Sequence, residues 1–139
     1  MVGTGNFKLD NVPIEIRNWN ETTEVKEIQS FDVGIMPLDD SDWEKGKCGF
    51  KLIQYMACGK PVIGSPVGVN RIIIVNGING FLANNTDEWL KYFRIIKNDF
   101  ALRIKMGSVG RAMVEEEYSL QAISPKLIQI FNNLLEERT

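Results

Sequence analysis

Apolar residues alternate along the chain between short extended runs and stripes at helical spacing. The extended runs are IEIR (14–17), FDVGIMP (31–37), PVIGS (61–65) and the GFLA at 80–83. IEIR alternates apolar and polar positions, as a strand would. FDVGIMP is nearly continuous in apolar residues, which predicts a strand covered on both faces.

Two segments in the first half have helical spacing. ETTEVKEIQSF (21–31) predicts a short helix with acidic residues in its first turn. FKLIQYMAC (50–58) predicts a second helix, whose apolar face carries Phe50, Ile53, Met56 and Ala57. Gly59 stands where that helix stops, and Pro61 prevents its continuation. Residues 38–49 are predicted to form a polar loop.

The last third of the chain is predicted to be helical. Thr86 is expected to cap the helix that follows it. Asp87 and Glu88 come next, and acidic residues favour a helix N-terminus. The next helix should bury an apolar stripe of Leu102, Met106, Val109 and Met113. Ser119 is expected to cap the last helix, and Pro125 should kink it or split off its first turn.

The alternation of strands and helices indicates the α/β class, with a Rossmann-like parallel sheet sandwiched by helices and a helical C-terminal tail. The length of 139 residues fits a single domain, residues 1–139. In such sheets ligands bind beyond the carboxyl ends of the strands. The loop after FDVGIMP lies at such a place.

Composition and charge exclude several classes of function. The 16 basic and 18 acidic residues give a net charge of −2, which removes the electrostatic argument for a nucleic-acid binder. The chain contains 0 histidines, so mechanisms that need Ser-His-Asp, Cys-His or His-bound metal are excluded within it. Cys48 and Cys58 are expected to be reduced thiols in a cytosolic protein.

Three short motifs have an ordinary structural interpretation. Gly3-Thr4-Gly5 begins like a dinucleotide fingerprint but lacks the third glycine and a following helix, which favours a strand-to-loop turn. Gly59-Lys60 lacks the Ser/Thr of a phosphate loop and is interpreted as a helix stop. Asp40 and Asp42 could hold a divalent ion, but a solvated acidic turn is the preferred interpretation.

The segment that leads into the helix at 50–58 has the features of an anion site. Gly46 and Gly49 would let the backbone approach a ligand closely, and Lys47 and Lys51 add positive charge. The N-terminus of the helix offers unpaired N–H groups and the positive end of the helix dipole, which suit a phosphate. The alternative is a surface loop with two solvated lysines.

The string FDVGIMPLDDSDWEKGKCGFKLIQYMACGKPVIGSPVGVNRIIIVNGINGFLANN resembles the C-terminal domain of retaining glycosyltransferases of family 4, which have the GT-B fold. The resemblance extends from about Ile14 to Phe131. It implies that the chain binds a nucleotide-sugar donor, with a UDP-sugar expected, and that an N-terminal domain absent from this chain binds the acceptor. No essential metal is implied.

The resemblance also suggests a biological setting. Enzymes of this type often act on lipid-linked saccharides at the cytoplasmic membrane face and build bacterial O-antigen or other surface polysaccharides. The implied reaction is transfer of a hexose or N-acetylhexosamine. It leaves open a peripheral membrane association of the full-length enzyme.

The family signature contains two glutamates separated by seven residues before a MACG-type helix end. Aligned on MACG, these positions are Gly46 and Gln54 here, so both carboxylates are absent. Gln54 can still hydrogen-bond a ribose, and Glu44 lies two residues from Gly46. Ile72 stands where a further glutamate is common.

The resemblance implies a set of donor-binding residues but no catalytic residue within the chain. The nucleobase is expected beside Trp19, although ordinary packing of Trp19 is an equal alternative. The other expected donor-binding positions are Gly46, Lys47, Cys48, Gly49, Phe50, Lys51 and Gln54.

An Arg and a Lys that neutralise the donor diphosphate in the family lie upstream of the positions covered here. The chain is therefore expected to be the donor-binding half of a longer enzyme and to be inactive alone. The alternative is a non-catalytic nucleotide-binding or assembly module that has lost the signature glutamates. An α/β isomerase or epimerase domain ranks lower, since related epimerases rely on histidine.

Overall fold

A computed structural model of the chain describes residues 13–136. The chain folds into two compact units, with the boundary between Phe31 and Asp32. The predictions for Gly3-Thr4-Gly5 and the strand before it lie outside the described residues.

The first unit contains the short predicted helix, α1 (Glu24–Gln29). The predicted strand IEIR is wrong for the described residues 13–31, where only Arg17 makes an isolated strand-like pairing. Its arginine is instead paired with carboxylates: Arg17 donates to Glu15 at 2.8 Å and also to Glu27 of α1. The hydrogen bond from Arg17 lowers the pKa of Glu15.

The second unit is built on a three-stranded parallel sheet in the order β1-β2-β3. The strands are β1 (Gly34–Met36), β2 (Val62–Gly64) and β3 (Gly80–Leu82). Gly34, Val62 and Gly80 are aligned across the sheet. All three carboxyl ends therefore lie at one edge, as the α/β prediction requires.

Six helices of the second unit connect and flank these strands in the described residues. They are α2 (Asp42–Lys45), α3 (Phe50–Ala57), α4 (Asn70–Ile73), α5 (Thr86–Asn98), α6 (Phe100–Glu117) and α7 (Leu120–Glu136). The sequence predicts α3, α5, α6 and α7 but treats α2 as a loop. Helix α2 forms there because the Ser41 hydroxyl accepts the Glu44 N–H at 3.3 Å, which caps its first turn.

The core has two parts because neighbouring residues of β2 face opposite sides of the sheet. Val62 packs with Leu52 and Met56 of α3, and Ile63 packs with Ile96 and Met106 of α5 and α6. The sheet is thus covered by helices on both faces, which confirms the predicted sandwich.

Strand β1 and helix α3 differ in detail from the predicted burial. Ile35 is 42% exposed, so β1 is not covered on both faces. In α3 the fully buried residues are Leu52 and Met56, whereas Phe50 is 60% exposed. The buried face is rotated from the predicted one because β1 and α6 both contact α3 on the side of Leu52 and Met56.

The predictions for the C-terminal helices also differ in detail from the structure. Asn85, and not Thr86, caps α5, since its side chain accepts the Glu88 N–H at 3.0 Å. In α6 the buried positions are Met106, Gly107, Gly110 and Val114. The two glycines are buried because α3 and the turn after it lie against them. A methyl group on Gly107 would meet the Gly59 carbonyl oxygen at 2.0 Å, and one on Gly110 would meet the Met56 side chain at 3.0 Å.

Helix α7 begins at its predicted cap and passes through its proline. The Ser119 hydroxyl accepts the Ala122 N–H at 3.1 Å, which confirms that cap. The helix is continuous through Pro125, so its first turn is not split off. Pro125 lies only five residues after Leu120, where little of the helix precedes the N–H that proline lacks.

Candidate functional site

A cavity of about 470 Å³ lies at the carboxyl edge of the sheet. It is lined by residues 37–39, Glu44, Ser65, residues 84–86 and Trp89. Apart from Glu44, which lies on α2, these segments follow β1, β2 and β3 closely or stand at the start of α5. We call it the strand-end cavity. Its position is the one at which open α/β sheets bind ligands.

The floor of the strand-end cavity is held by a hydrogen bond between two strand ends. The Leu38 N–H donates to the Ser65 hydroxyl at 2.9 Å. Ser65 is 8% exposed, and its backbone carbonyl accepts the Asn70 side-chain amide at 3.0 Å. This arrangement joins the ends of β1 and β2 to α4.

The wall of the cavity is formed by the capped start of α5. Asn85 caps the Glu88 N–H, and the Glu88 carboxylate accepts the Asn84 N–H at 2.7 Å. That hydrogen bond from the Asn84 backbone, with a second from its side chain, lowers the pKa of Glu88. Trp89 is half-buried in the next turn.

Glu44 brings a carboxylate to the cavity from α2. Its side chain is 20% exposed, and its Oε2 lies 2.6 Å from the ammonium of Lys47. Lys45 on the same helix contacts the carboxylates of Asp40 at 3.3 Å and Asp42 at 3.2 Å. The hydrogen bonds to Asp42 and Asp40 raise the pKa of Lys45. The two aspartates therefore face a lysine in the acidic turn.

The predicted loop 46–50 leads into an open helix N-terminus. Gly49 has a φ of +70°, and α3 begins without a side-chain cap. Gly46 ends α2 with a φ of −77°. Cys48 and Lys51 are exposed. The Leu52 N–H donates to the Gly49 carbonyl at 2.9 Å, which leaves the N–H groups of Phe50 and Lys51 at the start of α3 for a ligand. The anion site at this loop stays a prediction.

The turn after β2 packs against this loop. A methyl group on Gly68 would lie 2.7 Å from the Lys45 carbonyl oxygen, and one on Gly49 would lie 2.5 Å from Ile73. Asn70 is fully buried, and its Oδ1 accepts no hydrogen bond within the described residues. A methyl group on Gly49 would lie 3.9 Å from that oxygen.

The remaining predicted positions are not among the residues that line the cavity. Gln54 is half-buried on α3, and Ile72 is 73% exposed on α4. Trp19 belongs to the first unit, where it is 56% exposed and its indole N–H donates to Glu24 at 2.8 Å. Of the family-signature region, only Glu44 lines the strand-end cavity.

Sequence reasoning missed most of the residues that line the cavity. Asp39, Ser65 and Asn84 each stand within three residues of the end of a strand. Polar residues at the carboxyl ends of consecutive parallel strands are the signal that would have found them.

Residues 13–136 contain neither a metal-binding cluster nor a membrane-spanning helix. Between residues 13 and 136, no group of three or more His, Cys, Asp or Glu side chains is placed to hold a metal ion. Within that same range, no helix combines the length and the apolar character needed to cross a membrane. Neither cysteine of this range forms a disulfide, which confirms the predicted thiols.

One family profile and several solved structures are similar to this chain. The sequence profile described as "Glycosyl transferases group 1" matches residues 6–97. Sucrose-phosphate synthase from Thermosynechococcus elongatus is 22% identical with a TM-score of 0.74, over 88% of this chain and 30% of that one. No curated protein sequence matches the chain.

Two other solved structures carry ligands. Anabaena HepE in complex with UDP and glucose is 15% identical with a TM-score of 0.73, over 86% of this chain and 32% of that one. A variant of S. aureus TarM in complex with fondaparinux, α-GlcNAc-glycerol and UDP is 22% identical with a TM-score of 0.62, over 85% of this chain and 23% of that one. The chain thus spans less than a third of the length of each of these proteins. Their structural similarity to the chain confirms its fold.

Proposed function

The chain belongs to the glycosyl transferases group 1 family, and from this premise we propose that it is the nucleotide-sugar-binding half of a glycosyltransferase. The observation that carries the proposal is the start of α3, which lies at the carboxyl edge of the sheet and has no side-chain cap. The chain matches the family over residues 6–97. The proposed donor is a UDP-sugar.

The diphosphate is proposed to bind at the loop 46–50 and the first turn of α3. Backbone N–H groups at a helix N-terminus are donors for phosphate oxygens. Lys51 is exposed beside them, and Lys47 is exposed on the loop with Glu44 as its neighbour. Cys48, Gly49 and Phe50 would contribute backbone to the same surface.

The nucleoside contacts are proposed from the resemblance. Gln54 would hydrogen-bond the ribose through its amide, and Trp19 would stack with the base. UDP is present in the HepE and TarM structures, which are similar to this chain in fold. This similarity supports UDP as the nucleotide.

The finer parts of the activity are proposed in the same way. We propose transfer of a hexose or N-acetylhexosamine with retention of configuration, without an essential metal, to a lipid-linked saccharide at the cytoplasmic membrane face. The acceptor would be bound by a second domain, because the chain spans less than a third of the enzymes that it resembles. The 139-residue chain should then bind UDP without catalysing transfer.

Titration of UDP into the chain, followed by calorimetry or NMR, tests the nucleotide part of the proposal. Lys51→Ala should weaken binding about tenfold, since a hydrogen bond to a charged group contributes about 1.5–3 kcal/mol. Gln54→Ala should weaken it about fivefold, as a neutral hydrogen bond contributes about 1 kcal/mol. Lys105→Ala, an exposed lysine on α6, is the matched control.

Two results would contradict the proposal: absence of saturable binding at millimolar UDP, or equal effects of Lys51→Ala and Lys105→Ala. Alkylation of Cys48, which is exposed on the loop, gives a second readout. UDP should slow its reaction with iodoacetamide.

A non-catalytic nucleotide-binding module is the second candidate. It is favoured by the absence of a carboxylate at Gly46 and Gln54 and by an exposed Ile72 at the third family position. Both candidates predict UDP binding. A donor-binding half should also distinguish UDP-glucose from UDP, whereas a nucleotide module should bind them equally.

A further inference from the structure

We propose that Glu44 lowers the affinity of the diphosphate loop by competing with the bound anion for the Lys47 ammonium. In the structure Lys47 is paired with Glu44. An anion at the start of α3 therefore gains the charge of Lys47 only by taking that lysine from the carboxylate. The inference concerns how the proposed diphosphate site is regulated, and it rests on the proposed function.

The two lysines of this segment have different surroundings. The Lys47 ammonium lies 2.6 Å from Oε2 of Glu44, although the Lys47 side chain is 43% exposed. Lys51 is exposed in the first turn of α3, and no residue between 13 and 136 forms an ion pair with it. An anion that approaches the helix start therefore meets one available lysine and one that already has a counter-charge. Lys51 should then make the larger contribution to binding.

The Glu44 carboxylate depends on Lys47 for its charge balance. Its Oε2 is closed off from solvent and accepts no hydrogen bond of favourable angle in the part of the chain that the structure describes. The Lys47 ammonium is therefore the counter-charge of this oxygen. Because both side chains are partly exposed, their attraction is screened by water and contributes little net free energy. A pair of this kind can be exchanged for a more highly charged anion.

The exchange requires motion of side chains alone. The Lys47 N–H donates to the Glu44 carbonyl at 3.1 Å, so the backbone that carries both charges forms a closed turn. The turn after β2 packs against the same backbone, since a methyl group on Gly68 would lie 2.7 Å from the Lys45 carbonyl oxygen. Rotation of the long Lys47 side chain therefore redirects its ammonium while the fold stays unchanged.

The strand-end cavity accommodates the carboxylate that Lys47 leaves. Glu44 lines this cavity, whose volume of about 470 Å³ leaves room for solvent around the released side chain. A charge that loses its partner in a closed interior is strongly destabilising, whereas a charge that can reach water is much less so. The exchange therefore lowers the affinity for the anion without preventing its binding.

Titration with inorganic pyrophosphate, followed by NMR at the backbone N–H groups of residues 47–52, tests the competition without a nucleoside. Glu44→Gln should tighten binding about threefold to fivefold, because an ion pair of this type contributes about that factor. Lys47→Ala should weaken binding only about twofold to threefold in the parent chain. It should weaken binding about tenfold in the Glu44→Gln background, where the lysine is free to contact the anion.

The double variant separates competition from the general effect of removing a negative charge. If Glu44 acts through Lys47, Glu44→Gln should have little effect once Lys47 is replaced by alanine. An equal gain with and without Lys47 would show that Glu44 repels the anion directly and would overturn the inference. A loss of affinity in Glu44→Gln would also overturn it, because Glu44 would then orient Lys47 towards the anion.

Asp42→Asn is the matched control, because it removes one negative charge from the same helix. Asp42 pairs with Lys45 at 3.2 Å and is not among the residues that line the cavity. Its side chain is exposed, so salt screens its effect on a distant anion. Pyrophosphate affinity should change by less than about twofold in this variant. Similar gains in Asp42→Asn and Glu44→Gln would contradict a specific role of Glu44.

A measurement on the parent chain covers the case in which Glu44→Gln fails to fold. Pyrophosphate should shift the side-chain carboxyl carbon resonance of Glu44, because its counter-charge leaves, and should not shift that of Asp42. An unchanged Glu44 resonance at saturating pyrophosphate would overturn the inference. Failure of pyrophosphate to bind to the parent chain and to Glu44→Gln would overturn it as well.

Titration of the same variants with UDP separates the inference from the proposed function. If the diphosphate of UDP binds at this loop, the changes in affinity should follow those measured with pyrophosphate. Absence of UDP binding beside the expected response to pyrophosphate would contradict the proposed function alone, because the pyrophosphate titration does not depend on the nucleoside.

Discussion

Helices α3 and α5 both begin at the carboxyl edge of the sheet, but their first turns are built in opposite ways. At α5 the Asn85 side chain accepts the Glu88 N–H at 3.0 Å, and the Glu88 carboxylate accepts the Asn84 N–H at 2.7 Å. At α3 the preceding residue is Gly49, with a φ of +70° and no side chain to act as a cap.

The difference shows where each helix obtains its stability. Helix α5 satisfies its first turn with its own side chains, so it forms a fixed wall of the strand-end cavity. Helix α3 leaves the N–H groups of Phe50 and Lys51 to solvent or a ligand, since the Leu52 N–H donates to the Gly49 carbonyl. The helix is held by its buried face, where Leu52 and Met56 are 0% exposed. A helix held by packing can leave its N-terminus for binding.

The largest expected effect tests whether packing holds α3. Leu52→Ala should lower the free energy of unfolding by about 2–5 kcal/mol, because it removes a fully buried side chain and leaves a cavity. Phe50→Ala on the same helix should cost less than about 1 kcal/mol, since Phe50 is 60% exposed. Urea denaturation measures both. Similar losses would show that the buried face of α3 includes Phe50.

The next effect concerns the glycine that opens α3. Gly49→Ala places a side chain at a φ of +70°, which costs about 1–2 kcal/mol, and also displaces the Ile73 side chain. Gly59→Ala is the matched control at the other end of the helix. Its φ is +68°, and nothing lies within 4 Å of the added methyl group.

The two glycine variants separate backbone strain from contact. Denaturation should show a larger loss for Gly49→Ala than for Gly59→Ala. Equal losses would mean that only the backbone conformation matters. UDP binding should weaken in Gly49→Ala alone, because only that glycine belongs to the proposed diphosphate loop.

The sequence predicts the elements of this fold better than their faces. Strands β1 to β3 follow from short apolar runs, and the longer helices follow from their spacing. In α3, however, Phe50 and Leu52 are both apolar and begin two neighbouring stripes. Which stripe is buried depends on where β1 and α6 lie against the helix, and periodicity does not contain that information.

The candidate site was predictable only in its local part. The left-handed glycine and the open start of α3 follow from one continuous segment, 46–51. The strand-end cavity combines Asp39, Glu44, Ser65 and Trp89, which are brought together only by the parallel order of the strands. The cap of α5 shows the same limit at short range: Asn85 and Thr86 are both capping residues, and the path of the chain after β3 selects between them.

The smallest effect tests the self-contained start of α5 through its dependence on pH. Hydrogen bonds from Asn84 lower the pKa of Glu88 below its ordinary value of 4.5 in the folded chain. Protons therefore bind more tightly to the unfolded chain, and the stabilisation is fully present above pH 4.5. It is lost as the pH falls through the folded-state pKa.

Glu88→Gln removes this titrating group. The melting temperature of the variant should therefore lie below that of the parent chain at pH 6. The difference should shrink as the pH falls below 4.5. Asn85→Ala is the comparison, because it removes the other half of the cap and costs about 1 kcal/mol. An amide does not titrate, so its deficit should persist in acid. A pH-independent deficit in Glu88→Gln would show that the carboxylate does not support the first turn of α5. The contrast with the uncapped start of α3 would then rest on Asn85 alone.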